Sequence, residues 1–212
     1  RLYNDEPRAR MEQEILLGIG GVKLLKKLGI RPSAYHINEG HSAFLIFERI
    51  NDLMIDEGLS FEEAKEVVRS NTCFTTHTPV DAGNERFTKD IIEYYFSNFV
   101  KRWGITWSQF WELRLREGAD ESPFSMTVLG LKMSAMSNAV SRMHCEVAKR
   151  MWCKVWKGFH HTDVPIKPIT NGVHLLSYVA PEMREVFDVY LGRGWERRMS
   201  DGQLWRKVHD IP

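Results

Sequence analysis

The segment HINEGHSAF (residues 36–44) places two histidines, a glutamate, an asparagine and a serine around one glycine, directly before an apolar stretch. Asparagine, glutamate and histidine side chains offer hydrogen-bond donors and acceptors in fixed directions, which the recognition of sugar hydroxyl groups requires. The same groups could instead cap and brace a helix that begins there. The segment by itself leaves both interpretations open.

Two further polar clusters occur at comparable places along the chain. THTP (residues 76–79) follows a short apolar segment, and TNGVH (residues 170–174) lies at a break marked by proline and glycine. Ligands bind at the carboxyl ends of parallel strands, because loops converge there and backbone groups are free. Each cluster alone favours a structural role, whereas three clusters at strand ends or breaks favour a ligand site.

A metal site is a competing interpretation of the same residues. His36, His41, His77 and Glu39 are acceptable ligands for zinc or iron. No pair of them has the spacing of the HExxH motif. The sequence therefore predicts no metal site, and a metal-dependent hydrolase stays open as an alternative.

Helices and strands are predicted to alternate over the first third of the chain. Apolar periodicity predicts the helices, and short alternating or apolar runs bounded by turns predict the strands. The predicted order is a helix over 7–28, a strand over 34–38, helices over 41–57 and 60–70, and a strand over 73–76. This order is a βαβ-type crossover, so the predicted fold class is α/β with a parallel sheet covered by helices.

From residue 85 onward the sequence predicts mostly helix. The predicted helices cover residues 87–103 and 106–116, residues 124–156 as one or two long helices, and residues 181–208. IKPITNGVH (residues 166–174) interrupts this pattern with proline and glycine. We therefore expect a domain boundary there, with one domain over 1–169 and the start of another over 170–212.

A glycine-rich stretch, GIGG (residues 18–21), lies within the first predicted helix. A dinucleotide-binding loop would need a preceding strand, and Lys23 stands where that fingerprint requires glycine. Close packing of the first helix against a neighbouring element is the better explanation.

Composition and charge exclude several classes of protein. With 43% apolar residues among 212, the chain can bury a sizeable core and suits one domain, or one domain plus part of another. The formal net charge is only +1. A protein that binds nucleic acid or an acidic membrane needs a basic face, so the charge argues against both functions. No apolar run approaches the roughly 20 residues that span a bilayer.

The cysteines indicate the cellular compartment, and the first residue indicates whether the chain is a whole protein. Cys73, Cys145 and Cys153 form no CxxC pair, so reduced thiols and a cytoplasmic location are expected. The chain begins at Arg1, within a motif and without an initiator methionine. We expect it to be a piece of a longer protein.

Five segments, in order along nearly the whole chain, resemble one family. These segments are RLYNDEPRARMEQEILLGIGG, YHINEGHSAFLIFERI, FTTHTPVDAGNERF, SNAVSRMHCEVAKRMW and ITNGVH. They resemble the α-glucan phosphorylases, the family of glycogen and maltodextrin phosphorylase, and in particular its shorter prokaryotic branch. The collinear order and plausible spacing make the resemblance specific.

The resemblance implies a fold, a reaction and a cofactor. The family has the GT-B architecture, in which two Rossmann-like domains face a cleft. It uses inorganic phosphate to cleave a terminal α-1,4-glucosidic bond, and releases glucose 1-phosphate with retention. Its pyridoxal phosphate is held on a lysine of the C-terminal domain, and the cofactor's phosphate group takes part in proton transfer. A homo-oligomer is compatible with the family. This chain is similar to the later half of the N-terminal domain plus the first helices of the C-terminal domain.

The resemblance also implies roles for four residues. Glu39 and His41 fall in a loop that carries an acidic residue and a histidine near the glucosyl site. His77 matches the family's histidine beside the cleaved sugar, so we expect it to be the catalytic residue of this chain. Asn171 matches the asparagine that contacts the primary hydroxyl of the sugar. Glu39, His41 and Asn171 are therefore the expected substrate-binding residues.

Some residues depart from the family pattern, and some parts of the site have no counterpart here. Ala139 and Cys145 stand where the family usually has glycine, and Asp81 and Asn84 replace an expected proline and histidine. The cofactor lysine and the basic phosphate-binding residues are missing, so we expect this chain alone to be inactive. A non-catalytic carbohydrate-binding or regulatory relative is the alternative from another class.

Overall fold

The structure, a computed structural model, describes residues 6–80, 84–113 and 123–212. The first helical segment consists of α1 (Pro7–Ile15), a π-helical turn (Leu16–Gly20) and α2 (Gly21–Lys27). The carboxylate of Glu6 accepts hydrogen bonds from the first-turn N–H groups of Arg8 and Ala9, which caps α1. The predicted helix over 7–28 is confirmed, with the π-helical turn inserted at its centre.

The glycine-rich stretch serves packing, as predicted. A Cβ atom added to Gly18 would lie 2.7 Å from the backbone nitrogen of Leu45, at the start of the third α-helix. No heavy atom lies within 4 Å of a Cβ added to Gly21. The close approach therefore requires glycine at position 18 but not at position 21.

Four parallel strands form the main sheet. They are β1 (Tyr35–Asn38), β2 (Thr72–Thr76), β5 (Met136–Ala139) and β6 (Ile166–Pro168), in the order β1-β2-β5-β6. Two helices, α3 (Leu45–Asp56) and α4 (Phe61–Ser70), connect β1 to β2. The side chain of Ser60 and its partner Glu63 cap α4 reciprocally. The predicted α/β class, its parallel sheet and its first crossover are confirmed.

The prediction of one or two long helices over 124–156 was wrong. This segment contains β4 (Phe124–Ser125), α7 (Met126–Lys132), β5 and α8 (Arg142–Trp152), followed by a 3₁₀ turn (Cys153–Val155). The two-residue β4 pairs antiparallel with β3 (Arg86–Phe87). The sequence of β5, MSNA, lacks β-branched residues, and it is extended because β2 and β6 pair with it on both sides.

The remaining helices of the first part of the chain cover one side of an aromatic core. They are α5 (Lys89–Trp103) and α6 (Trp107–Glu112), and residues 114–116 of the predicted helix lie outside the described residues. Phe44 and Phe47 of the α3 region contact the rings of Phe96, Phe110 and Phe124 at centroid distances of 4.7–6.4 Å. These five rings are almost completely buried.

The chain divides into two compact units between Thr170 and Asn171. The second unit contains α9 (Leu175–Tyr178), α10 (Pro181–Tyr190), α11 (Gly202–Arg206) and two 3₁₀ turns (Trp195–Arg197 and Lys207–Asp210). The tail over 181–208 is largely helical, as predicted, and is interrupted at Gly192 and Gly194, whose φ angles are +89° and +83°. Within the described part of the chain, no helix has both the length and the apolar character to cross a membrane.

Candidate functional site

Glu39 connects the loop after β1 to the loop after β2. Its Oε1 accepts hydrogen bonds from the backbone N–H groups of His77 and Thr78, the latter at 2.6 Å, and from Oγ1 of Thr76 at 3.4 Å. Its side chain is buried, and its backbone has a φ of +56°. Positive φ is uncommon for a residue other than glycine and is found at constrained functional loops. Glu39 therefore braces the His77 loop, and its predicted contact with sugar stays a prediction.

His77 is exposed at the carboxyl end of β2. Its ring Nε2 lies 3.0 Å from Oδ1 of Asn38, at the end of β1. A carbonyl oxygen accepts only, so Nε2 carries the hydrogen and donates it to Asn38. In the tautomer that has its hydrogen on Nε2, the lone pair lies on Nδ1, where it can accept a hydrogen bond from a hydroxyl group. Asn38 at the end of β1 therefore holds the ring of His77, and Glu39 in the loop after β1 holds its backbone.

His41 lies in a half-buried ionic cluster. Its Nδ1 is 2.7 Å from Nη2 of Arg10 and 3.0 Å from Oε1 of Glu85. Nη2 of Arg10 is also 2.5 Å from Glu85 Oε1, and Nε of Arg10 is 2.9 Å from Oε1 of Glu14. The site thus joins α1, the loop after β1 and the residue before β3.

The two carboxylates of this cluster have opposite pKa shifts. Burial, and then the charge of Glu85, raise the pKa of Glu14 to about 8. Burial alone would also raise the pKa of Glu85, but the hydrogen bond and charge of His41 and the charge of Arg10 outweigh it, so this pKa is lowered. Near neutral pH the two described carboxyl groups of the cluster are therefore a carboxylate, Glu85, and a carboxylic acid, Glu14.

The same cluster has the donor atoms of a metal site but is already filled by a cation. Glu14, His41 and Glu85 each offer a ligand atom within 4.8 Å of the others. The guanidinium of Arg10 lies within 2.9 Å of an atom of each of them. A metal ion would have to displace or be repelled by this charge. The arrangement does not favour a metal-dependent hydrolase.

Sequence reasoning missed three residues of this cluster: Arg10, Glu14 and Glu85. Arg10 and Glu14 are four positions apart on a helix, which is the spacing of an ordinary exposed ion pair. Glu85 is 75 positions from Arg10 in sequence. The signal that placed His41 was its glycine-containing loop, and no comparable local signal marks the other three.

Gly40 fixes the loop between Glu39 and His41 against α7. A Cβ atom at Gly40 would lie 2.5 Å from Cβ of Met126 and 3.3 Å from the backbone nitrogen of Thr127. Glycine is therefore required where this loop crosses the start of α7. The glycine that stood out in the sequence serves a close approach of two backbones.

A line of side-chain hydrogen bonds connects three neighbouring strands of the sheet. Oγ1 of Thr75 donates to Oδ1 of Asn138 at 2.6 Å, so it accepts from Nε2 of His36, also at 2.6 Å. These residues belong to β2, β5 and β1. His36 was a predicted metal ligand only in the competing interpretation, and Asn138 was missed because β5 was predicted as helix.

The residues that depart from the family pattern are well accommodated where they are described. Asn84 is buried; its amide donates to the carbonyl of Val80 and accepts from Oγ1 of Thr127. Ala139 is fully buried at the end of β5, and the thiol of Cys145 donates to the carbonyl of Ile166. Asp81 lies outside the described residues.

Asn171, the fourth predicted site residue, is exposed and begins the second compact unit. The structure therefore joins Glu39 to His77 across adjacent loops of the first unit, and His41 follows two residues after Glu39 in the same loop. The predicted role of Asn171 stays a prediction.

Comparison with known proteins decides the family. A family model described as carbohydrate phosphorylase matches residues 24–210. The chain belongs to this family. It is 43% identical over its whole length to maltodextrin phosphorylase of Thermococcus litoralis. It is also 37% identical to glycogen phosphorylase of Mycobacterium tuberculosis and 34% identical to glycogen phosphorylase of Aquifex aeolicus, again over its whole length. It spans 24%, 25% and 30% of these three relatives.

Proposed function

We propose that this chain is part of an α-1,4-glucan phosphorylase and carries glucan-facing loops of its catalytic cleft. The observation that carries the proposal is the carbohydrate phosphorylase match over residues 24–210. The maltodextrin and glycogen phosphorylases among its relatives suggest α-1,4-glucan and inorganic phosphate as substrates. The proposed reaction releases glucose 1-phosphate from chain ends with retention, within a GT-B fold.

In this proposal His77 is the residue next to the reacting sugar. Cleavage of a glucosidic bond passes through an oxocarbenium-like transition state, which fixed dipoles stabilise. Glu39 holds the N–H groups of His77 and Thr78, so the direction of the intervening carbonyl is set before substrate binds. The ring Nδ1 of His77 is left to accept a hydrogen bond from a sugar hydroxyl. His41 and Asn171 complete the proposed substrate contacts.

In this proposal no residue of this chain holds pyridoxal phosphate, and the position of its half-buried Lys132 supports that division. Lys132 is a half-buried lysine whose pKa burial lowers, as an imine-forming lysine requires. Its Nζ donates to the backbone carbonyl of Glu112 at 3.1 Å, and it precedes β5. It therefore lies toward the amino ends of the strands, whereas His77 follows a carboxyl end. We propose that the cofactor is bound by a part of the full-length protein outside this chain.

The test is an assay of the full-length protein with maltodextrin, with and without inorganic phosphate. We expect glucose 1-phosphate only when phosphate is present. Release of free glucose in both conditions would show a hydrolase and contradict the proposal. Binding of maltodextrin without either product would favour the non-catalytic carbohydrate-binding alternative.

A further inference from the structure

Glu14 is a buried acid that the proposed reaction does not use. Only 1% of the residue is exposed, and Nε of Arg10 lies 2.9 Å from its Oε1. Apart from this contact with Arg10, neither carboxyl oxygen has a partner among the described residues. A buried carboxyl group with so few hydrogen bonds is costly, and this cost is the reason to look for a functional role.

Arg10 links Glu14 to the proposed substrate-binding residue His41. Its Nη2 is within 2.7 Å of both His41 Nδ1 and Glu85 Oε1, while its Nε faces Glu14. A guanidinium group is planar and rigid. A change in the hydrogen bonding of its Nε edge therefore also moves the Nη2 atom. Among the described residues, the charged and titratable groups that face Glu14 are Arg10 of its own helix, Glu85 and, through Arg10, His41.

Nδ1 of His41 has two described polar neighbours, and it cannot form a hydrogen bond with both at the same time. Its lone pair can accept a hydrogen bond from Nη2 of Arg10, or its N–H can donate to Glu85 Oε1 at 3.0 Å. The first arrangement requires Nδ1 without a hydrogen, and the second requires Nδ1 with one. The imidazole therefore has two competing arrangements in this cluster.

We propose that Glu14 is a positioning residue whose ionisation, acting through Arg10, selects the ring nitrogen of His41 that carries the hydrogen. When Glu14 is neutral, the guanidinium is held by Glu85 and by the lone pair of His41 Nδ1. When Glu14 is ionised, it draws the guanidinium toward α1 and frees Glu85 to accept from Nδ1–H. The consequence for sugar binding rests on the proposed function, because it assumes that His41 faces the glucan.

The change in which ring nitrogen of His41 carries the hydrogen should occur in a measurable range of pH. The raised pKa of Glu14, about 8, places its ionisation above that of an ordinary carboxylate and within reach of stable solution conditions. Glu48 offers a matched control. It is another buried glutamate with a raised pKa caused first by burial, and its ion-pair partner is Lys23 at 3.7 Å.

The experiment follows the ring nitrogens of His41 by NMR in this chain, with ¹⁵N-labelled histidine, between about pH 5 and pH 10. We expect an inflection near pH 8, set by the ionisation of Glu14, in which Nδ1 gains hydrogen. Glu14→Gln should abolish that inflection, and Glu48→Gln should leave it. Arg10→Lys keeps a positive charge but removes the planar bridge, so it should also abolish the inflection.

Two results would overturn the proposal: a wild-type ring without the inflection near pH 8, or an inflection that persists in both Glu14→Gln and Arg10→Lys. The measurement needs no enzymatic activity. A full-length protein without phosphorolysis would therefore refute the proposed function. It would not affect the proposed coupling of Glu14 to His41, which the NMR result alone tests.

Discussion

At the scale of single residues, Glu39 shows how one carboxylate can hold the loop that carries the proposed catalytic residue His77. It occupies a left-handed backbone conformation, with φ at +56°, and in that position its Oε1 reaches two consecutive N–H groups after β2. Hydrogen bonds to a charged acceptor stabilise by roughly 1.5–3 kcal/mol, which offsets the strain of about 1–3 kcal/mol. The sequence showed a polar loop but could not show that the glutamate points at the backbone of its neighbour.

His77→Ala in the full-length protein tests the proposed catalytic residue. The side chain is exposed and its described hydrogen bond is to Asn38, so its loss should leave the fold intact. If the ring contact strengthens in the transition state, turnover should fall on the order of 100-fold, or about 2.7 kcal/mol, with a smaller change in KM.

Turnover and melting temperature should be measured on the same His77→Ala preparation. His160→Ala, another exposed histidine that lies before β6, is the matched control and should leave turnover unchanged. Normal turnover in a destabilised His77→Ala protein would mean that the histidine is a structural brace.

Glu14→Gln should change how the stability of this chain depends on pH. The folded chain keeps a proton on Glu14 up to a pKa of about 8, whereas the unfolded chain loses it near the ordinary value of 4.5. Because the folded pKa is raised, this contribution to stability is complete below pH 4.5 and is lost as pH rises toward 8. Its slope is at most about 1.4 kcal/mol per pH unit.

The measurement is urea unfolding at a series of pH values. The free energy of unfolding of Glu14→Gln relative to wild type should rise with pH across this window. Met11→Leu, a neutral change at a fully buried position of the same helix, should give a difference that does not depend on pH. Parallel curves for Glu14→Gln and wild type would show that Glu14 ionises alike in the folded and unfolded chain.

At the scale of elements, close helix packing depends on where each glycine lies. Gly18→Ala would place a Cβ 2.7 Å from the backbone of Leu45, and a backbone neighbour cannot rotate away. Such overpacking costs about 1–3 kcal/mol. Gly21→Ala meets open space in a helix, where alanine is favoured by roughly 0.5–1 kcal/mol. Urea unfolding should therefore show opposite signs for these two variants, and equal signs would contradict the packing.

Local sequence patterns predicted correctly the helices and strands whose conformation depends on their own residues. They failed where the conformation depends on pairing with a distant segment. Ser60 and Glu63 marked the start of α4 correctly, because a capping box is complete within four residues. The strand β5 was predicted as helix because its extended form depends on pairing with β2 and β6. The predicted site followed the same rule: loops after β1 and the predicted strand β2 were located, whereas the partners Arg10 and Glu85 come from distant segments.

At the scale of the whole molecule, each compact unit has a core of its own. The first unit is organised around the aromatic cluster and the parallel sheet, and the second around Leu191, Trp195 and Leu204. Rings of Phe187 and Trp205 pack against Trp195 at 5.1 and 6.2 Å. The chain nevertheless spans only 24–30% of the three relatives described above, so the proposed cleft needs residues from outside it.

The isolated chain should therefore show no phosphorolysis and at most weak binding of glucan. In the proposal it supplies the His77, Glu39 and His41 loops, but neither the cofactor nor the basic groups that hold phosphate. A partial site with few contacts is expected to bind in the millimolar range, about −4 kcal/mol. NMR titration of the chain with maltodextrin measures this affinity, and His77→Ala should weaken it further.

The phosphorolysis assay should use chain purified free of full-length enzyme, with that enzyme as the positive control. Release of glucose 1-phosphate by the chain alone would contradict the division of the site proposed here, because it would require phosphate-binding and proton-transfer groups among these 212 residues.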